Sequence, residues 1–209
     1  FHAAPYRPVA EAIDARYPLH LNTGRLRDQW HAMSRTGRVA RLFAHADTPL
    51  LSMALRDMEL RRLKAGDLVR VKSRRGDVVV MVEASDSLRP GQCFLPMHWG
   101  ARFMGGLGVN ALTLPTFDAV SKQPELKHAA VQVAKADLPW RMVALAVGDG
   151  AKLLDAVQPL LRACDYAAAG LAGRVHDVLT LRLAHTQPLP ESLLSTLDAA
   201  LGLDDPLAV

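Results

Sequence analysis

Apolar positions change their period several times along this chain, and each change marks an expected element. Leu19 and Leu21 alternate with polar neighbours in a short strand over 17–22 that stops at Gly24. Between Leu26 and Ala46 the spacing is irregular (Trp30, Met33, Val39, Leu42, Phe43), which predicts a short helix and loop. In 50–64, Leu51, Ala54, Leu55, Met58 and Leu63 share one face opposite arginines, and a helix is expected, closed by Ala65-Gly66-Asp67. LVRVKS and VVVMVEAS then flank Arg74-Arg75-Gly76-Asp77, the plainest β-hairpin in the sequence. Strands are also expected at 93–97 and 128–134, with a flexible, glycine-laden loop over 98–108 whose Gly105, Gly106 and Gly108 allow backbone to approach a ligand. Short strands of this kind bury their edges most economically in a closed barrel, so residues 1–136 read as a mainly β domain.

Leu138-Pro139 marks a boundary. Residues 138–209 change character: strand 142–147, helix 151–164, strand 178–183 and helix 191–201 form a small α/β appendage to which no chemistry is assigned. The fold class is therefore mainly β with an α+β character.

Composition narrows the classes. The chain has 209 residues, 50% hydrophobic and 22% charged, an ordinary globular balance for one domain, or one plus an appendage. Net charge is +4, with arginines clustered in the first half among turn residues. That pattern suits a phosphate-bearing small ligand better than a nucleic-acid duplex. Cys93 and Cys164 lie far apart and outside any CxxC pattern, which argues against a zinc ribbon, a disulfide framework or an iron–sulfur site held by this chain alone. No apolar run is long enough to span a bilayer, no secretory leader is recognisable, and a cytoplasmic setting fits best. The sequence opens at Phe1 without methionine and reads as part of a larger polypeptide.

Two stretches carry the candidate chemistry. In 18–38 an apolar strand runs into Thr23-Gly24-Arg25, followed by Trp30-His31 and Ser34-Arg35. Backbone amides at a glycine turn, hydroxyls and guanidinium groups together suit a phosphate or pyrophosphate. An isolated Thr-Gly-Arg is more often an ordinary turn, and a buried Trp with a satisfied His is the lesser alternative for the Trp-His pair. In 110–127 Asn110 offers donors and acceptors, Asp118 and Ser121 are turn formers, and Lys122 and Lys127 bracket Gln123-Pro124-Glu125. Arg38 and Arg41 read as solvated surface. No nucleophile–base constellation or HExxH pattern is present.

These stretches, with Gly66-Asp67 through Gly76 between them, resemble the carboxy-terminal, molybdopterin-dinucleotide-binding domain of bacterial molybdopterin oxidoreductases, most closely the assimilatory nitrate reductases. The family pattern runs TGR, WH and (S/T)-R, then GDxVRVxSxRG, then N-x-LT and SKQPExK, and all three parts occur here in order. The resemblance covers roughly residues 5–136. It implies a six-stranded double-psi β-barrel that holds a molybdenum bis-molybdopterin guanine dinucleotide, with nitrate reduced to nitrite.

It also implies roles for individual residues. Thr23, Gly24 and Arg25 cradle the pterin or its pyrophosphate, Trp30 and His31 lie against it, Ser34 and Arg35 meet phosphate oxygens, and Asn110, Lys122 and Lys127 complete the contacts. His98 and Trp99 support them, and neither is a metal ligand. The metal ligand and the iron–sulfur cysteines are expected in an amino-terminal region that is this segment's main partner. Alone, the segment binds without catalysing. A formate dehydrogenase or another molybdopterin oxidoreductase is the alternative within the class; a stand-alone anion- or nucleotide-binding barrel without redox activity is the alternative outside it.

Overall fold

The computed structural model describes residue 3 and residues 5–202. Phe1, at which the sequence opens, and the last seven positions of the expected appendage, 203–209, lie outside the described residues.

Six strands close into a barrel in the order β1-β5-β2-β4-β3-β6: β1 (Leu19–Gly24), β2 (Leu50–Met53), β3 (Leu68–Lys72), β4 (Asp77–Ala84), β5 (Gln92–Pro96) and β6 (Ala129–Lys135). Alternation decides which side chains fill it. Leu19 and Leu21, Leu51 and Met53, Val69 and Val71, Val78, Val80 and Val82, Cys93 and Leu95, and Val131 and Val133 are all buried in one core cluster. Two neighbours run parallel, β1 with β5 and β2 with β4, and the remaining contacts are antiparallel.

Two expectations from periodicity are corrected. After a first short helix, α1 (Ala40–Phe43), the helix expected over 50–64 begins as strand β2, and only α2 (Leu55–Leu60) is helical. Leu51, Ala54, Leu55 and Met58 satisfy a helical face, yet the pairing of Leu50–Met53 with β4 and β5 wins, because tertiary hydrogen bonds override local period. The helix expected over 151–164 is α3 (Gly150–Ala156) followed by a 3-10 turn at Gln158–Arg162, since Pro159 lacks the amide needed to continue. Asp149 caps α3, its carboxylate accepting from the amides of Ala151 and Lys152.

A third strand, β8 (Tyr166–Ala172), escaped the sequence reading. Its AAAGLA run carries little β propensity, and the sheet supplies what the residues lack. With β7 (Trp140–Gly148) and β9 (Asp177–His185) it forms an antiparallel sheet in the order β7-β9-β8. α3 and α4 (Glu191–Leu201) cover one face of this sheet through Leu154, Leu193 and Leu197. Tyr166, Ala168 and Ala184 on the opposite face pack on Leu68 and Val79, outward positions of the barrel.

The stretch expected to be a flexible loop over 98–108 is anchored instead. Trp99, Phe103 and Met104 are buried, and the segment borders β8: the Gly105 amide donates to Ala167 O at 2.9 Å and the Ala169 amide to Phe103 O at 2.8 Å. The glycines serve this packing. A Cβ on Gly105 would stand 2.9 Å from Leu161 O, and one on Gly108, at φ +62°, 2.1 Å from Trp99 O.

Candidate functional site

Strand directions fix where the three sequence motifs meet. β1, β3 and β5 end, and β2, β4 and β6 begin, at the same mouth of the barrel. The connections emerging there are 25–49, 73–76 and 97–128. Stretches separated by about a hundred residues in sequence thus share one rim.

Thr23 and Gly24 are the last residues of β1. The Thr23 hydroxyl donates to Leu95 O at 2.6 Å, so its proton is committed within the barrel. The Gly24 carbonyl accepts from the Met97 amide at 3.0 Å. A Cβ on Gly24 would lie 3.2 Å from the Phe94 ring and 3.7 Å from Lys127 Nζ, a cradle that only a bare backbone leaves open.

Beyond Gly24 the chain makes a compact loop. Arg25 Nη2 and His31 Nε2 are 2.8 Å apart; the Trp30 and His31 rings meet edge to face at 5.3 Å, and the Arg35 guanidinium lies 5.2 Å above the indole. Arg25, Trp30, His31, Ser34 and Arg35 are all exposed, although Trp30 is a large apolar side chain. Ala32 and Met33 adopt φ of +46° and +49°, conformations non-glycine residues seldom hold unless surrounding structure imposes them. The fully buried Met33 side chain is the anchor that does so.

Two devices shape this loop: Thr36, to which the sequence reading gave no role, and His98, which it expected only as support. Buried Thr36 donates its hydroxyl to Gln29 Oε1 at 2.6 Å and accepts from the Trp30 amide at 3.4 Å. Buried His98 accepts the Leu26 amide on Nε2 at 2.9 Å and meets Trp30 O with Nδ1 at 2.8 Å. Polar residues beside an expected binding loop were the only available signal.

From the downstream stretch, Lys127 reaches the site: its Nζ donates to Thr23 O at 2.7 Å. Lys122 sits at φ +59° on the tip of a turn organised by Asp118, whose carboxylate accepts the amides of Val120 and Ser121, and its ammonium stacks 5.4 Å from the Phe117 ring. Asn110 is exposed on a 3-10 turn over Gly108–Ala111. No hydrogen bond or ion pair among the described residues joins Asn110 or Lys122 to the 23–35 cluster.

Several arginines grouped by sequence with the phosphate candidates have other work. Arg75 forms a fork with Glu11 at 2.7 and 3.0 Å and also donates to Leu112 O. Arg74 pairs with Glu11 and Asp14 and covers the Tyr17 ring. Arg61 pairs with buried Asp57, whose other oxygen accepts the Gly91 amide at 2.6 Å.

A cleft of about 410 Å³ borders the loop, lined by Leu26, Asp28, Gln29, Thr48, Glu83 and Phe94. The Arg27 hydrogen bond holds the Asp28 carboxyl at about 2, an ion pair at the edge of the cleft. Burial pushes the Cys93 thiol up to about 12, which removes it as a thiolate ligand or nucleophile. No group of three or more His, Cys, Asp or Glu side chains among the described residues is arranged to hold a metal ion. No helix among them is long and apolar enough to cross a membrane.

The barrel gathers cations, an exposed indole and an open glycine backbone at one rim, groups whose chemistry suits a flat, anionic ligand. Residues 19–130 match the family described as the molydopterin dinucleotide binding domain, and the chain belongs to that family. Over 135 residues it is 43% identical to a nitrate reductase of Klebsiella oxytoca, a match covering 65% of this chain and 16% of that protein. Among solved structures it is similar to acetylene hydratase from Pelobacter acetylenicus, with a TM-score of 0.49 and 17% identity over 57% of this chain and 18% of the other. The matched region is thus about a sixth of each relative's length.

Proposed function

We propose that this chain is the cofactor-closing part of a molybdenum oxidoreductase that carries bis-molybdopterin guanine dinucleotide and reduces nitrate to nitrite in nitrate assimilation. The observation that carries the reading is the meeting of the two motif-bearing loops at one rim, Lys127 on Thr23 O beside the open backbone of Gly24. The nitrate reductase relative supports the substrate, and the paired parallel strands β1–β5 and β2–β4 support a double-psi form of the barrel.

When bound, the metal would supply two-electron chemistry, by which nitrate takes up two electrons and two protons and leaves as nitrite and water. This chain's own residues bind and orient. Arg25, Arg35 and Lys127 meet the pyrophosphate charge, Ser34 adds a hydroxyl, and Trp30 with His31 forms a wall for the fused ring. Asn110 and Lys122 lie on the companion loop and reach the cofactor from that side. The metal ligand and an iron–sulfur cluster belong to an upstream region of the complete polypeptide, which is this segment's partner and contains the electron path. The setting is cytoplasmic.

Arg35→Ala in the complete enzyme tests the reading. Removing a charge-assisted contact of about 1.5–3 kcal/mol is expected to reduce molybdenum and guanine nucleotide recovered per polypeptide by roughly tenfold or more, while Arg41→Ala changes neither. Equal occupancy in both variants would sink the phosphate assignment.

A further inference from the structure

His98 lies outside the cofactor-facing cluster, yet its ring is inserted between the two ends of the segment that carries it. Only 1% of the residue is exposed, and both ring nitrogens engage backbone across some seventy residues of sequence: the Leu26 amide on Nε2 and the Trp30 carbonyl on Nδ1. Leu26 follows Arg25, and Trp30 precedes His31, so the ring spans the base of the loop that presents all three side chains.

We propose that His98 is a positioning residue, a neutral imidazole that clips residues 26–30 into the cofactor-facing shape and releases them when it is protonated. The inference rests on the function proposed above. One tautomer alone fits both partners: Nδ1 carries the proton and donates to Trp30 O, while Nε2 accepts from the Leu26 amide. A protonated ring has two donors and no acceptor. It would confront the Leu26 N–H with another N–H in a buried place, the costliest arrangement of polar groups.

The surroundings favour the neutral ring. Burial is the main influence lowering the His98 pKa, and the charged or titratable groups facing it, His31 and Arg25 on the clipped loop, lower it further; the Trp30 carbonyl pulls the other way. The sign follows. A histidine depressed in the folded state contributes stability that is complete above the ordinary imidazole value near 6.5 and is lost as pH falls through the lower folded value. Acid therefore unclips the loop, and the cations of Arg25 and Arg35 lose their fixed spacing. The Thr36 hydroxyl on Trp30 and Gln29 keeps part of the loop in place, so the change is local.

The test uses the 209-residue chain, in which nitrogen-detected imidazole spectra report tautomer and charge and amide exchange reports Leu26 protection. The expected result is a neutral ring with its proton on Nδ1 at pH 7.5, and a Leu26 protection factor that falls about tenfold as the ring titrates, while Val80 in the barrel core is unchanged. His98→Gln offers an acceptor and a donor that do not titrate, and should keep Leu26 protected at both pH values. His98→Leu should leave it unprotected at both.

Carried into the complete enzyme, H98L should lose bound guanine nucleotide severalfold at pH 7.5 and H98Q should not. A proton on Nε2, or an H98Q variant that follows the wild-type pH response, would overturn the clip. A clip that opens without any change in nucleotide content would overturn its positioning role. Wild-type enzyme lacking molybdopterin altogether would overturn the functional reading on which that role depends, while the spectra would still decide the clip.

Discussion

Phe103→Ala is expected to destabilise the protein by about 3–5 kcal/mol, the range for removing a large buried aromatic side chain. The residue is 2% exposed and its ring meets Phe43 edge to face at 5.3 Å. It fills the space above Gly37, where an added Cβ would come within 2.5 Å of the ring, and its carbonyl accepts from Ala169 on β8. The ring thus joins the loop after β5 to the loop after β1, while the backbone carbonyl, which the substitution keeps, ties the residue to the carboxy-terminal sheet. For a chain of this size the loss corresponds to a fall in Tm of roughly 6–20 °C. Thermal unfolding of the 209-residue chain checks it, with Phe117→Ala, at a ring 58% exposed, as a control expected to shift little. Equal shifts in the two variants would mean that Phe103 does not join these parts.

Gly24→Val should abolish cofactor retention more completely than any single charge removal. At Gly24 a Cβ already sits 3.2 Å from the Phe94 ring, and the methyls of valine extend about 1.5 Å beyond it towards Phe94, Lys127 Nζ or the open side of the turn. Two directions displace the ammonium on Thr23 O or the wall of the adjoining cleft. The third occupies the approach to the backbone. Recovery of guanine nucleotide and molybdenum in the complete enzyme is expected to fall by more than tenfold, with Gly24→Ala intermediate, because its neighbour gives way by tenths of an ångström. Retention by Gly24→Val at the wild-type level would show that nothing approaches that backbone. Gly91→Val makes a fair comparison, since no atom lies within 4 Å of its Cβ position, although its positive φ adds strain unrelated to ligand.

Both outcomes depend on contacts between residues far apart in sequence, and this separates what was legible from what was not. The hairpin of β3 and β4 was readable because alternating Val69, Val71, Val78, Val80 and Val82 satisfy period two on both sides of a glycine turn. β2 was misread because four residues are too short to establish a period against the helical spacing that continues through Met58. β8 was invisible because alanines and glycine have no intrinsic demand for a strand; they lie there because larger residues would not fit. A Cβ on Gly170 would fall 2.6 Å from Asp47 O. The arginines illustrate the same limit: charge and turn context could not tell Arg75, consumed by Glu11 and Leu112 O, from Arg35, exposed over an indole.

By itself the sequence determined a mainly β chain with strands at most of the observed positions, and two stretches whose residue types suit a phosphate-bearing ligand. Those are local properties, written in period, turn chemistry and composition. Only the tertiary structure decided that the loops after β1, β3 and β5 share one mouth, that Lys127 stands on Thr23 O, and that His98 meets both Leu26 and Trp30. Each of these depends on strand direction and on hydrogen bonds across about seventy to a hundred residues. A local pattern cannot encode them, because a donor or charge acquires its role from the partner that folding brings to it.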